Sequence, residues 1–333
     1  MSPQAQNNCP ITIIALPNET LCTIFNDFTP PTLAIIACLS HRFKDVAERL
    51  LYSSISLTET LSEGRPSPEM TLRWCNSMRR RAHLIDAIKK LHIRWQADTL
   101  NFPTHHLSTA CLNVADVLRP LIYLESLEIF LGPANIVPAH GMEPMHAIER
   151  VISRCQFPLL RHCSLGADTT KGAQPYTGVL TTFLASLPSL RHLKLPSDHH
   201  ALDLPADAMP NLSTFRGSAD TAAFLLPGRP VQALSLIGHD SDVNRENLGR
   251  MTYTTVPLRY LDLSAMSVRP ILVRNVSTHL PNLEVLRIKF ALRHTLHYAF
   301  SGIVSSSVTP GCTTTLNRIL EATEIIVRPL GSP

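Results

Sequence analysis

The stretch LRHLKL, residues 190–195, carries leucines at its first, fourth and sixth positions and polar residues between them. The same apolar-x-x-apolar-x-apolar pattern occurs eight times along the chain, at separations of 19 to 36 residues. The eight units begin at Ile88, Leu124, Leu160, Leu190, Leu212, Val231, Leu258 and Leu283. A pattern that recurs at such separations is typical of a repeat architecture, in which each unit stacks on the next.

Each unit is predicted to contain one strand, and helices are predicted between the strands. In six of the eight units a proline stands one or two residues ahead of the first apolar position, where it ends the preceding segment and admits an extended strand. Helical spacing of apolar residues is found at 110–121, 145–155, 179–187 and 271–280. The sequence therefore predicts an irregular α/β solenoid with a curved parallel sheet inside and helices outside. The alternative is another α/β domain whose strands share this pattern.

Three short helices are predicted ahead of the repeats. The segment 33–39 is apolar on every side, which predicts burial on more than one face, and 43–51 has an apolar stripe opposite a charged one. The first helix follows Pro17 and carries its apolar stripe at Leu21, Ile24, Phe25 and Phe28. A bundle this small supplies only a few kcal/mol of stability by itself. Its excess apolar surface therefore predicts a partner or a neighbouring domain that covers it.

Composition narrows the class of protein. The chain has 333 residues, of which 44% are hydrophobic and 17% charged, so it is expected to fold. The formal net charge of +4 is small and dispersed, which indicates neither a nucleic-acid footprint nor a membrane patch. The eight cysteines form no CxxC pair, and no apolar run approaches a signal sequence or a membrane span. We therefore expect reduced thiols and a cytoplasmic and/or nuclear location.

The segment LPNETLCTIFNDFTPPTLAIIACLSHRFKDVAERLLYSSISL, residues 16–57, resembles an F-box, and most closely those of fungal F-box proteins. It has the Leu-Pro-x-Glu entry, the Ile-Phe pair, a Ser-x-Arg-Phe turn and the Leu-Leu-Tyr ending of that family. It departs from the family pattern at Thr20, Thr32 and His41. The alternative is an ordinary helical cap on a larger domain. The matching residues are Leu16, Pro17, Glu19, Ile24, Phe25, Leu33, Ser40, Arg42, Phe43, Ala47, Leu50, Leu51 and Tyr52.

The resemblance implies that these helices dock on a Skp-type adaptor protein and, through it, on a cullin. The residues that it assigns to this contact are Leu16, Pro17, Ile24, Phe25, Leu33 and Leu39. The repeats resemble the divergent leucine-rich repeats that commonly follow F-boxes, which implies that they bind a target protein. Strand alternation places one residue per unit on the concave face of the sheet. The alternative is that these side chains are merely solvated. The candidate target contacts are His92, Glu128, Ser164, Lys194, Arg216, Ser235, Asp262 and Arg287.

The resemblance thus implies a substrate-recognition adaptor of an SCF-type (Skp, cullin, F-box) ubiquitin ligase. A non-degradative interaction scaffold that uses the same F-box docking remains an alternative. A nucleic-acid-binding solenoid is a further one, and the mixed charges of the concave row argue against it. The expected organisation is a flexible N-terminus at 1–13, the F-box at 14–57, a linker at 58–70, the solenoid at 71–300, a Ser/Thr-rich loop at 301–315 and a C-terminal cap or tail at 316–333.

No catalytic signature is present. The sequence has no glycine-rich phosphate loop, no HExxH and no GxSxG. The densest metal-like cluster, formed by Cys155, His162 and Cys163, has the leucines of a repeat strand around it and lacks a fourth ligand at suitable spacing. We therefore expect no catalytic residue, no metal and no cofactor.

Overall fold

The computed structural model of the chain describes residues 13, 16–98, 105–135, 145–168, 176, 178–196, 202, 204–239, 242–266, 268, 270–288 and 325–327. Its main feature is one ten-stranded sheet in which every strand pairs with its neighbours in the chain. The strands are β1 Ser54–Leu61, β2 Lys90–Ala97, β3 Ser126–Phe130, β4 His162–Gly166, β5 His192–Lys194, β6 Thr214–Gly217, β7 Ala233–Ile237, β8 Tyr260–Ala265, β9 Val285–Ile288 and β10 Ile325–Val327.

Strands β1 to β9 are parallel, and each of the eight sequence units contains one of them. Along a strand, side chains alternate between a buried and a more exposed face. The fourth position of each unit lies on the buried face and in register with the next, as in the run from Leu127 through Cys163 and Leu193 to Phe215. The predicted α/β solenoid-like fold with a parallel sheet is confirmed.

The predicted linker at 58–70 is wrong at its start. Thr58 to Leu61 form the second half of β1, which pairs with β2 over its full length as the first strand of the sheet. The reason lies in the alternation of SISLTETL, because Leu57 and Leu61 pack into the repeat core while Ser54, Ser56, Thr58 and Thr60 are exposed. The solenoid therefore begins immediately after the third helix.

A repeated backbone contact precedes each of β2 to β9. One carbonyl oxygen in each unit accepts hydrogen bonds from two successive N–H groups of the next unit, at 2.8 to 3.2 Å. Because the contact uses only backbone atoms, it tolerates any side chain at the accepting position and any residue except proline at the two donating positions. It explains how the units stay aligned although their sequences diverge. The accepting residues are Ser53, Lys89, Glu125, Arg161, Arg191, Ser213, Gln232 and Arg259.

The helices lie against the buried face of the sheet and share one core with it. The helices of the repeat region are α4 Glu69–Arg80, α5 His105–Leu118, α6 Ala147–Ile152, α7 Gly178–Ala185, α8 Ala219–Leu225, α9 Arg245–Met251 and α10 Pro270–His279. Four of them, α5, α6, α7 and α10, occur where the spacing of apolar residues predicts them. Side chains of preceding elements cap two of these helices: Glu59 of β1 accepts from the N–H groups of Met70 and Thr71, and the fully buried Glu149 of α6 accepts from that of Leu180.

The C-terminal strand β10 pairs antiparallel with β9, at the end of the sheet opposite β1. It covers the edge that β9 would otherwise expose, and it lies within the cap or tail expected at 316–333. The predicted Ser/Thr-rich loop at 301–315, the rest of the predicted cap or tail at 316–333 and most of the flexible N-terminus at 1–13 lie outside the described residues.

Gly132 begins a short 3₁₀ helix after β3, and we expect that replacing it with alanine destabilises the protein. Its φ of +45° disfavours any residue with a Cβ, and that Cβ would lie 2.5 Å from the carbonyl oxygen of Trp95. Together, the strained backbone and the clash should cost about 2–4 kcal/mol of unfolding free energy, measured by urea denaturation. Gly249→Ala is the control, because a Cβ there meets nothing within 4 Å. Gly249→Ala should leave the unfolding free energy unchanged or raise it by about 0.5–1 kcal/mol, because Gly249 lies inside helix α9. Equal stabilities of the two variants would contradict this account.

Candidate functional site

The three predicted helices form a separate small cluster at the start of the chain. They are α1 Asn18–Phe25, α2 Pro30–Ile36 and α3 His41–Tyr52. The buried residues of this cluster are Leu21, Phe25, Leu33, Val46 and Ala47. Each helix contributes to the core, so the periodicity that predicted three packed helices is confirmed.

The residues of the Ser-x-Arg-Phe turn hold the bundle together. The Ser40 hydroxyl caps α3 by accepting from the N–H of Phe43 at 3.2 Å. Arg42 donates to the side-chain oxygen of Asn18 at 2.8 Å and to the carbonyl oxygen of Leu16, which ties α3 to the start of α1. The ring of Phe43 packs edge-on against Phe25 at a centroid distance of 5.6 Å. These motif residues therefore have structural roles within the chain.

The outer side of α2 exposes a continuous apolar stripe. Only Leu33 of this helix is buried, whereas Ile35 and Leu39 are each 66% exposed. Positions spaced by three and four residues lie on one side of a helix, and here the spacing continues into the turn at 37–39. The predicted burial of 33–39 on more than one face is therefore wrong for the described part of the chain. We call this surface the α2 stripe; its members are Pro31, Ala34, Ile35, Cys38 and Leu39.

The six residues assigned to adaptor contact have different environments. Leu39 and Pro17 are exposed, and Leu16 and Ile24 are half-buried at the edge of the bundle core. Phe25 and Leu33 are buried in that core, so their assignment as contacts is corrected. Helical periodicity marks apolar positions but does not say which of them the other two helices cover. Ile35 is exposed beside Leu39 but is not among the six residues, although its spacing of four residues from Leu39 was a usable signal.

The second candidate surface is the sheet face that points away from the helices. The eight residues predicted for the concave face lie side by side, one per strand, in a single row of register partners that also includes Ser56 of β1. We call this row the open-face row. Ser56, Lys194 and Arg216 are exposed. Asp262 is buried, and the other five members of the row are half-buried. Ser56 was missed because β1 lacks the repeat pattern.

Asp262 is the one member of the row with a buried side chain. It is 7% exposed, and its carboxylate accepts from the N–H of Ser264 at 2.9 Å and from the hydroxyl of Ser235 at 3.4 Å. Arg287 lies 3.8 Å from the same carboxylate. Asp262 therefore holds Ser235, Ser264 and Arg287 in place, and its assignment as a direct target contact is corrected.

The cysteines of the repeat core are poor nucleophiles. Burial raises the pKa of Cys75, Cys111, Cys155 and Cys163 to about 12, so these thiols stay protonated at neutral pH. The metal-like cluster of the sequence is not assembled either, because Cys163 is buried and His162 points to the opposite, exposed face of β4. Within the described ranges, no helix combines the length and apolar character needed to cross a membrane.

Comparisons with known proteins give little further information. No protein-family model matches the chain, and no curated protein matches it. Thirty chains of solved structures do match. One belongs to the crystal structure of the Rad7 and Elc1 complex in yeast, with 13% identity over 81% of this chain and 87% of that chain and a TM-score of 0.28. A likeness this weak carries no argument about function.

Proposed function

We propose that this protein is the substrate-recognition adaptor of an SCF-type ubiquitin ligase. In this proposal the α2 stripe and the neighbouring Leu16–Pro17 entry bind a Skp-type adaptor that is itself joined to a cullin. The open-face row binds a target protein. The chain catalyses nothing itself and needs no cofactor; it raises the rate of ubiquitin transfer by holding the target close to the ubiquitin-charged enzyme.

The observation that carries the proposal is the α2 stripe. A set of five exposed apolar positions on one side of α2 and the turn after it is costly in water, and it is typical of a surface that a partner covers. Within the described residues, α1 and α3 cover only the opposite side of this helix. The sequence that forms the stripe is also the part that resembles an F-box, and the family uses such a patch to bind its adaptor.

The proposal predicts that targets become longer-lived when docking is disrupted. In cells in which Leu39→Asp replaces the wild-type protein, proteins that co-purify with both forms should show half-lives at least about twofold longer, because they no longer reach the cullin. Ile122→Asp is the matched control, since Ile122 is an exposed apolar residue of the repeat region. It should leave the half-lives at their wild-type values.

Two other results would be decisive. If the cullin co-purifies with the wild type but target half-lives are the same with Leu39→Asp, the protein is a non-degradative scaffold and the proposal is wrong. If neither a Skp-type adaptor nor a cullin co-purifies with the wild type, the docking itself is contradicted.

A further inference from the structure

The charged side chains of the open-face row differ in their pairing. Asp262 and Arg287 form one ion pair at the β8–β9 end of the row. Among the described residues, Glu128, Lys194 and Arg216 form no ion pair and no side-chain hydrogen bond. These three therefore keep their charges available to a ligand.

The three charges have a fixed order along the sheet. Glu128 on β3 is in register with Ser164 on β4, which is in register with Lys194 on β5 and then Arg216 on β6. Adjacent strands lie about 4.8 Å apart, so Glu128 is roughly 10 Å from Lys194 and roughly 14 Å from Arg216 along the row. The row thus presents one negative charge and, after a neutral gap, two adjacent positive charges.

No carboxylate lies on the strands that carry the positive end of this arrangement or on the strand before them. The sequences of β4, β5 and β6 are HCSLG, HLK and TFRG. In the neighbouring row, the ring of His192 stacks on His162 at 4.4 Å. Burial, together with the nearby His162 and Arg191, lowers the pKa of His192, which favours the neutral form of this ring. Like charges on adjacent strands repel each other, and an anion bound over Lys194 and Arg216 relieves that repulsion.

We propose that the open-face row binds an extended segment of the target in which a basic and an acidic side chain are four residues apart. The acidic side chain lies over Lys194 and Arg216, and the basic one lies over Glu128. In an extended chain, residues four apart point to the same side and are separated by about 13 Å, which matches the distance from Glu128 to the pair of cations. The inference rests on the proposed function for its premise that this face reads the target.

The test uses a phage-displayed library of random 12-residue peptides, selected on the purified full-length chain. We expect selected peptides to be enriched several-fold in a Lys or Arg and an Asp or Glu separated by four positions. A synthetic selected peptide should bind roughly tenfold more weakly to Lys194→Ala or Arg216→Ala, because each substitution removes one charged contact. The triple variant Glu128→Lys, Lys194→Glu, Arg216→Glu should select peptides with the two charges in the opposite order.

The control for this test is Lys44→Glu, which reverses an exposed charge on α3, away from the open-face row. It should leave the selected sequences unchanged. Enrichment of a seven- or eight-residue spacing would indicate a helical ligand and overturn the inference, as would selection without a charge pattern. Each variant is also assayed for binding to the Skp-type adaptor. Loss of charge selection with intact adaptor binding refutes only this inference, whereas absent adaptor binding by the wild type refutes the proposed docking.

Discussion

Replacing Arg229 with leucine should lower the free energy of unfolding by about 3–5 kcal/mol, the largest stability effect that we expect from a single polar residue. Arg229 follows α8 and is 2% exposed. Its guanidinium donates to the carbonyl oxygens of Ala208 at 2.9 Å, of Pro205 at 2.7 Å and of Pro227 at 3.3 Å, and also to that of Leu225. Leucine fills part of the volume but leaves these carbonyl groups without the donor.

The arrangement explains why a charge is tolerated in the repeat core. Burial lowers the pKa of Arg229, and the nearby Asp207 opposes that shift, yet arginine remains protonated at any physiological pH. The carbonyl of Leu225 belongs to the last turn of α8, where a cation also interacts favourably with the helix dipole. The side chain thus connects the end of this helix to the 205–208 segment of the preceding unit.

The matched variants for this prediction are Arg229→Lys and Arg259→Leu. Lysine keeps the charge but lacks the planar group that reaches several carbonyls, so an intermediate loss is expected. Arg259 is 58% exposed and makes one ion pair with Glu284 at 3.5 Å, so its loss should cost less than about 1 kcal/mol. Urea denaturation of the three proteins measures the difference. A loss for Arg229→Leu no larger than that for Arg259→Leu would contradict this role.

The strands of the repeats could be predicted because their signal is local. The pattern in LRHLKL and its relatives specifies which residues of one strand are buried, and strand alternation then places one residue of each strand on the open face. All eight predicted members of the open-face row are register partners for this reason. Strand β1 was not predicted, because SISLTETL alternates in burial but lacks the spacing of the repeat pattern.

Features that depend on distant segments could not be predicted. Arg229 is surrounded by carbonyl groups of residues that are as far as 24 positions away in the sequence. The carboxylate of Asp262 faces Arg287 on the next strand. Asp262, a candidate target contact in the sequence, is therefore buried and paired within the chain. In the three-helix bundle, Phe25 and Ile35 are equally apolar in the sequence, and only packing shows that the first is covered and the second is not.

The effect expected to be largest of all is the loss of adaptor binding when the α2 stripe becomes charged. Ile35→Asp combined with Leu39→Asp places two carboxylates on a surface that binding is proposed to remove from water. Truncating a central apolar residue of an interface typically costs about 2 kcal/mol or more, and burying an unpaired charge costs more still. The dissociation constant should therefore rise at least about 100-fold. Both side chains are 66% exposed, so the fold should not change.

The most direct test of the docking account is calorimetric titration of a purified Skp-type adaptor into the full-length chain. We predict micromolar or tighter binding by the wild type and by the control Ile122→Asp. The double variant Ile35→Asp, Leu39→Asp should show at least about 100-fold weaker binding with an unchanged unfolding temperature. The account is contradicted if the wild type does not bind the adaptor, or if the double variant binds it as tightly as the wild type does.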